Sequence, residues 1–365
     1  MEDHNRAIND IGHTSVPEMQ GLAPVVIAWE ATRACNFACA HCRAEAQKVP
    51  DPRQLTTEEA FDLVDQIYSF CKPILIISGG DPLLRKDVFD VASYASARGI
   101  RVVMSPSGSN ITPEVTEKMK SSGVKMLSIS LDGSRPEVHD NFRQVPGAFN
   151  MTLKSLHSVR LSRLPFKVNT TVTQHNLHDL PNIMKLAIEV GAAEWDVFML
   201  VPTGRGRITM EVTPDQYEKT MCFIYEASLT SPIPIKMTCT PQYMRMIAQQ
   251  QMKTGALQPQ STYRRRMGGR GCMAGNGFCF VSHVGDVFGC GFLPVSAGNI
   301  RQQSFKQIYQ QSRLFKELRN PELLKGKCGV CTYKGICGGC RARAFSVHKD
   351  YLAEEPYCTY IPEKP

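Results

Sequence analysis

Eleven of the fourteen cysteines in this chain fall into two groups, and any fold has to gather each group around something. Cys35, Cys39 and Cys42 follow the short run AWEATR, and Cys272, Cys279, Cys290, Cys328, Cys331, Cys337, Cys340 and Cys358 crowd the C-terminal third. In an oxidising compartment such crowding implies disulfides; in a reducing one it implies metal binding or catalysis. The start, MEDHNRAINDIGHTSVPEMQG, is polar and lacks the basic-then-apolar order of a signal peptide. No apolar run approaches the roughly 18 residues of a membrane span. The expected location is an anaerobic cytoplasm, where the cysteines read as metal ligands.

Three thiolates in one loop suit one face of a cubane [4Fe–4S] cluster, leaving the fourth iron open. A structural zinc site closes with four protein ligands, and no fourth stands near Cys42 in the sequence. In the second group the core C-x2-C-x5-C-x2-C, Cys328 to Cys340, keeps a zinc ribbon open as the alternative to clusters. Cys71, Cys222 and Cys239 remain, and they read as buried structural thiols, although Cys239 lies just ahead of the second group.

Between the groups, apolar β-rich runs alternate with helical stretches. The spacing predicts strands over 25–30, 73–78, 100–105, 126–131, 166–172 and 195–201. Helices are expected over 57–70, 86–98, 113–121, 147–161 and 180–190, the first opened by an N-cap at Thr56 with early acids. Such alternation implies an α/β fold with a parallel sheet, here a partial (β/α)6 barrel with its chemistry at the C-terminal ends of the strands. Two more helices, 213–230 and 241–252, follow before periodicity fades. The expected division is an N-terminal extension over 1–22, the barrel and following helices over 23–260, and a small cysteine-rich domain over 261–365.

The formal net charge of +8 favours acidic partners. No helix-turn-helix, zinc-finger or RNP-type signature supports nucleic acid, and a small polyanion fits equally well.

The CxxxCxxC loop after a first strand resembles the radical S-adenosylmethionine (SAM) superfamily. That resemblance implies SAM on the open iron and reductive cleavage to a 5′-deoxyadenosyl radical. Gly79-Gly80-Asp81-Pro82 is similar to the family's GGEP motif, with Asp81 replacing Glu, and implies backbone contact to the methionine end of SAM. Arg143 matches an arginine aimed at the SAM carboxylate, while Ser130, Asn169 and Leu200 fall where the family contacts SAM, the last two at ribose and adenine. Asp132 ends the same strand as Ser130. The C-terminal cysteines resemble the SPASM module of auxiliary [4Fe–4S] clusters, with two residues, Gly338-Gly339, where three are usual. The family's interleaving assigns Cys272, Cys279, Cys290 and Cys340 to one cluster and Cys328, Cys331, Cys337 and Cys358 to the other.

AWEATRACNFACAHCRAEAQ, FMLVPTGRGR, GFCFVSHVGDVFGCGFL and KGICGGCRARAFSVHKDYLAEEPYC look like the alternative haem-biosynthesis enzymes, closest to the branch that decarboxylates iron-coproporphyrin III. The resemblance implies abstraction of a propionate β-hydrogen, then loss of CO2 and one electron to an auxiliary cluster, leaving a vinyl group. Two propionates are processed in turn, and an external donor such as flavodoxin or ferredoxin supplies reducing electrons. Arg205, Arg207, Arg264 to Arg266 and Arg270 are candidates to hold the propionates of this anionic tetrapyrrole. The alternatives are a deacetylase of 12,18-didecarboxysirohaem, a SPASM peptide maturase and a non-catalytic electron-transfer protein. The 22 residues before the barrel are short for the peptide-binding domain that maturases often carry, and an electron carrier has no need of a three-cysteine loop.

Overall fold

A computed structural model describes residues 23–254 and 270–363. The expected domain boundary near 260, the extension over 1–22 and Arg264 to Arg266 lie outside the described residues.

Seven parallel strands follow one another across the sheet: β1 (Val26–Glu30), β2 (Ile74–Ser78), β3 (Arg101–Met104), β4 (Val124–Ser130), β5 (Phe166–Val172), β6 (Glu194–Met199) and β7 (Ile235–Thr238). The strands are Val/Ile-rich, as parallel strands covered on both faces must be, and helices cross over between them. Helix α1 (Thr57–Tyr68) shows how local chemistry starts such a crossover. The Thr56 hydroxyl accepts from the Glu59 N–H at 3.2 Å, and the Glu59 carboxylate accepts from the Thr56 N–H at 2.8 Å.

The cysteine-rich segment does not stand apart from this sheet. Strand β8 (Phe278–Val281) pairs in parallel with β1, and β9 (Asp286–Phe288) and β10 (Ser296–Asn299) continue it antiparallel. The order β10-β9-β8-β1-β2-β3-β4-β5-β6-β7 is open at β7, so the barrel is partial. Strand β7, a four-residue edge strand between the two helices expected over 213–230 and 241–252, adds to the six predicted strands. Because β1 to β8 run parallel, the loops that follow them meet at one end of the sheet.

Candidate active site

The loop after β1 is clamped from three sides. From below, the Gly80 N–H donates to the Thr32 carbonyl at 2.7 Å and the Asp81 N–H to the Ala34 carbonyl at 2.6 Å. A Cβ on Gly80 would collide with the carbonyls of Arg33 and Ala34, so close approach of two backbones requires glycine there. From the side, the Ala38 and Ala40 N–H groups donate to the Arg143 and Phe142 carbonyls, at 3.2 and 3.0 Å. Arg143 Nη1 also reaches Cys39 Sγ at 3.4 Å. From above, Arg205 Nε donates to the Cys39 carbonyl at 3.0 Å and Nη1 to the Ala46 carbonyl at 2.9 Å.

This geometry assigns work to several expected site residues. Asp81 is buried, accepts from the Leu83 N–H and from Ser107 Oγ at 2.5 Å, and so anchors its loop by its side chain. Arg143 ion-pairs with buried Asp132. Burial disfavours the Arg143 charge, but Asp132 and Cys39 more than restore it, so it stays protonated. Arg205 commits Nε and Nη1 to the cysteine loop, and its Nη2 is buried with no partner among the described residues. Arg270 donates to the Leu318 and Arg319 carbonyls and is likewise spent on the fold. Arg207, by contrast, is exposed. Ser130 and Asn169 lie side by side in the β4–β5 register, and Asn169 Oδ1 is buried with no partner among the described residues, which suits a ligand hydroxyl. Leu200 is buried after β6, its carbonyl accepting from Arg343 at 2.6 Å.

Sequence reasoning missed a buried charge network joining this loop to the cysteine-rich segment. Glu30, the last residue of β1, binds Arg43 at 2.8 Å, Arg33 at 3.2 Å and His283 at 2.8 Å, and His283 also reaches Asp51 at 3.2 Å. Burial alone would raise the Glu30 carboxyl, but Arg43, His283 and Arg33 outweigh it and hold it down at about 2. Arg43 lies over the Phe280 ring at 4.4 Å and donates to the Gly291 carbonyl at 3.4 Å. Adjacent to Cys42 in the chain, it thereby touches the residue that follows Cys290. The only hint in the sequence was an acid closing an apolar strand.

The C-terminal cysteines divide less evenly than their spacing suggests. Cys328, Cys331, Cys337 and Cys358 line one cavity with Arg245 and Lys327. Gly338 and Gly339 both adopt left-handed φ (71° and 58°), which turns the chain sharply enough for the two-residue gap to send Cys340 elsewhere. Cys272, Cys290 and Cys340 pack in a second group. Burial pushes the Cys290 and Cys340 thiols up to about 12, so iron must drive their deprotonation on binding. Cys279 does not join them. It is fully buried in the main hydrophobic core.

All fourteen cysteines are free thiols. Among the described residues no three Cys, His, Asp or Glu side chains converge tightly enough to share one metal ion. A cubane asks for less convergence, because each thiolate binds a different corner iron, so the donor sets fit clusters.

Residues 29–187 match the radical SAM superfamily, and residues 272–341 match an iron–sulfur cluster-binding domain, SPASM. An AdoMet-dependent heme synthase of Methanosarcina barkeri is 48% identical over 94% of this chain and 98% of its own. The chain belongs to this family of radical SAM enzymes. A second member, the AdoMet-dependent heme synthase of Nitratidesulfovibrio vulgaris, is 43% identical over 93% of each chain. The fold is shared with SuiB of Streptococcus suis bound to its precursor peptide SuiA, at a TM-score of 0.74 and 13% identity, over 98% of this chain and 80% of that one. It is shared also with anSMEcpe with bound AdoMet, at 0.68 and 18%, over 92% and 94%. As a family member the chain is an enzyme that uses [4Fe–4S] clusters and SAM. No helix among the described residues is long and apolar enough to cross a membrane.

Proposed function

We propose that this enzyme decarboxylates two propionates of iron-coproporphyrin III to vinyl groups, giving haem b. The observation that carries the reading is the 48% identity to the Methanosarcina barkeri heme synthase over nearly the full length of both chains. The bound cluster and SAM supply a 5′-deoxyadenosyl radical. Each propionate then loses one β-hydrogen atom, CO2 and one electron, at the cost of one SAM, that electron passing to an auxiliary cluster bound by the C-terminal cysteines. A low-potential carrier such as flavodoxin or ferredoxin provides the reducing electrons.

The chain's own residues organise that chemistry. Cys35, Cys39 and Cys42 hold the radical cluster, on a loop fixed by Gly80, Arg143 and Arg205. Ser130, Asn169 and Leu200 line the SAM site, and the Asp132–Arg143 pair keeps a positive charge beside Cys39. Arg207, exposed beyond β6, meets a substrate propionate at the mouth of the barrel. Reacting atoms must lie within about 3 to 3.5 Å, so one propionate is productive at a time and the ring must rotate or rebind between events. Deuterium placed on the propionate β-carbons tests the step: it should appear in 5′-deoxyadenosine. Vinyl formation with all label retained in the porphyrin would rule the proposal out.

A further inference from the structure

We propose that Cys239, and not Cys279, is the fourth protein ligand of the auxiliary cluster held by Cys272, Cys290 and Cys340. The inference rests on the iron–sulfur assignment of the SPASM segment, not on the choice of tetrapyrrole.

Strand geometry removes Cys279. Successive side chains of a strand point to opposite faces. Phe280 faces the Cys290 side: it carries Arg43 on its ring, and a Cβ on Gly291 would stand 3.1 Å from it. Cys279, one residue earlier on β8, therefore points the other way. It lies in register with Ile27 of β1, and both belong to the barrel core. No rotamer carries its sulfur through the sheet.

Packing puts Cys239 in its place. It follows β7 directly, at the mouth of the barrel, and packs in one small cluster with Cys272, Cys290 and Cys340, around Leu293 and Val201. Its backbone is held in the left-handed region (φ 60°), a conformation a non-glycine residue adopts at a cost and keeps only when its surroundings impose it. The imposing contacts are explicit. The Cys239 carbonyl accepts from Tyr217 Oη at 3.1 Å and from Arg343 Nη1 at 3.3 Å. Arg343 is fully buried and ion-paired with Glu211 and Glu355, and Glu355 Oε2 accepts the Cys340 N–H at 2.7 Å. One buried network thus fixes the backbones of Cys239 and Cys340 together. A ligand from β7 would tie this cluster to the barrel as well as to the SPASM segment.

The test uses protein in which Cys35, Cys39 and Cys42 are changed to Ala, so that only auxiliary iron remains, about eight irons per chain. Adding Cys239→Ala should lower the count to about seven, with the EPR signal of a three-iron cluster, or to about four. Adding Cys279→Ala should leave both count and spectrum unchanged. Iron loss on Cys279→Ala, or none on Cys239→Ala, overturns the proposal. Should Cys239→Ala fail to fold, the parent protein still decides. There, Cys279→Ser should leave the auxiliary EPR signals unchanged and cyanide should not perturb them; iron loss or an altered signal on Cys279→Ser, or a cyanide-perturbed signal, overturns the assignment. None of these readouts involves substrate, so their outcome is separable from that of the decarboxylation proposal.

Discussion

Arg205 spends two donors on the carbonyls of Cys39 and Ala46, while Arg207, two residues on, is exposed, and substitutions should separate their roles. Lysine is a point charge that cannot bridge both carbonyls, so Arg205→Lys should loosen the cysteine loop. Iron content should fall by about four per chain, and SAM cleavage with it. Arg207→Ala should leave substrate-free SAM cleavage intact and raise the substrate Kd by about tenfold, the lower end for a lost charged hydrogen bond because the site is solvated. Equal losses of SAM cleavage in both variants would refute the separation. The cysteines themselves give the sharpest contrast. Changing Cys35, Cys39 and Cys42 together to Ala should abolish 5′-deoxyadenosine formation while auxiliary iron remains, measured by chromatography and iron assay on one sample. Residual 5′-deoxyadenosine would remove the radical cluster from that loop.

At the scale of elements, the helix Arg341–His348 carries the side chain on which the end of the barrel depends. Arg343→Met would leave Glu211 and Glu355 as buried charges without their partner, a change that typically costs about 3 to 5 kcal/mol. Denaturant unfolding should show that loss, and a change under about 1 kcal/mol would mean the pair is not buried in solution. Most elements were legible because they follow simple periods. Phe166–Val172 and Pro113–Ser121 match their expected bounds, and the Thr56 cap marks the start of α1 as predicted. What was not legible depends on three dimensions. Cysteine spacing does not say which face of β8 a thiol takes, so Cys279 was assigned to a cluster while its strand turns it into the core. Nor does spacing bring Cys239, far upstream, to Cys272, Cys290 and Cys340; only the packing of the residue after β7 against the SPASM segment does. Arginines beyond a strand end read as substrate contacts, yet Arg205 and Arg270 prove to brace backbone carbonyls.

Across the whole molecule, Glu30 connects barrel and cluster segment, and its depressed pKa makes that connection sensitive to acid. A carboxylate held at about 2, against 4.5 for the free group, stabilises the fold fully above pH 4.5. The contribution is lost as pH falls from there toward about 2. Unfolding midpoints taken across that range should fall steeply for the unaltered protein and less steeply for Glu30→Gln, which should already be weaker at pH 7. Parallel pH profiles would show that another acid governs. One incubation identifies the substrate. Protein, SAM and a reductant are combined without oxygen with iron-coproporphyrin III or, separately, with 12,18-didecarboxysirohaem, and products are followed by mass over time. A mono-vinyl species should rise early and then give way to haem b, with one 5′-deoxyadenosine formed per vinyl group. Unchanged iron-coproporphyrin III together with acetate released from didecarboxysirohaem would contradict the proposed decarboxylation.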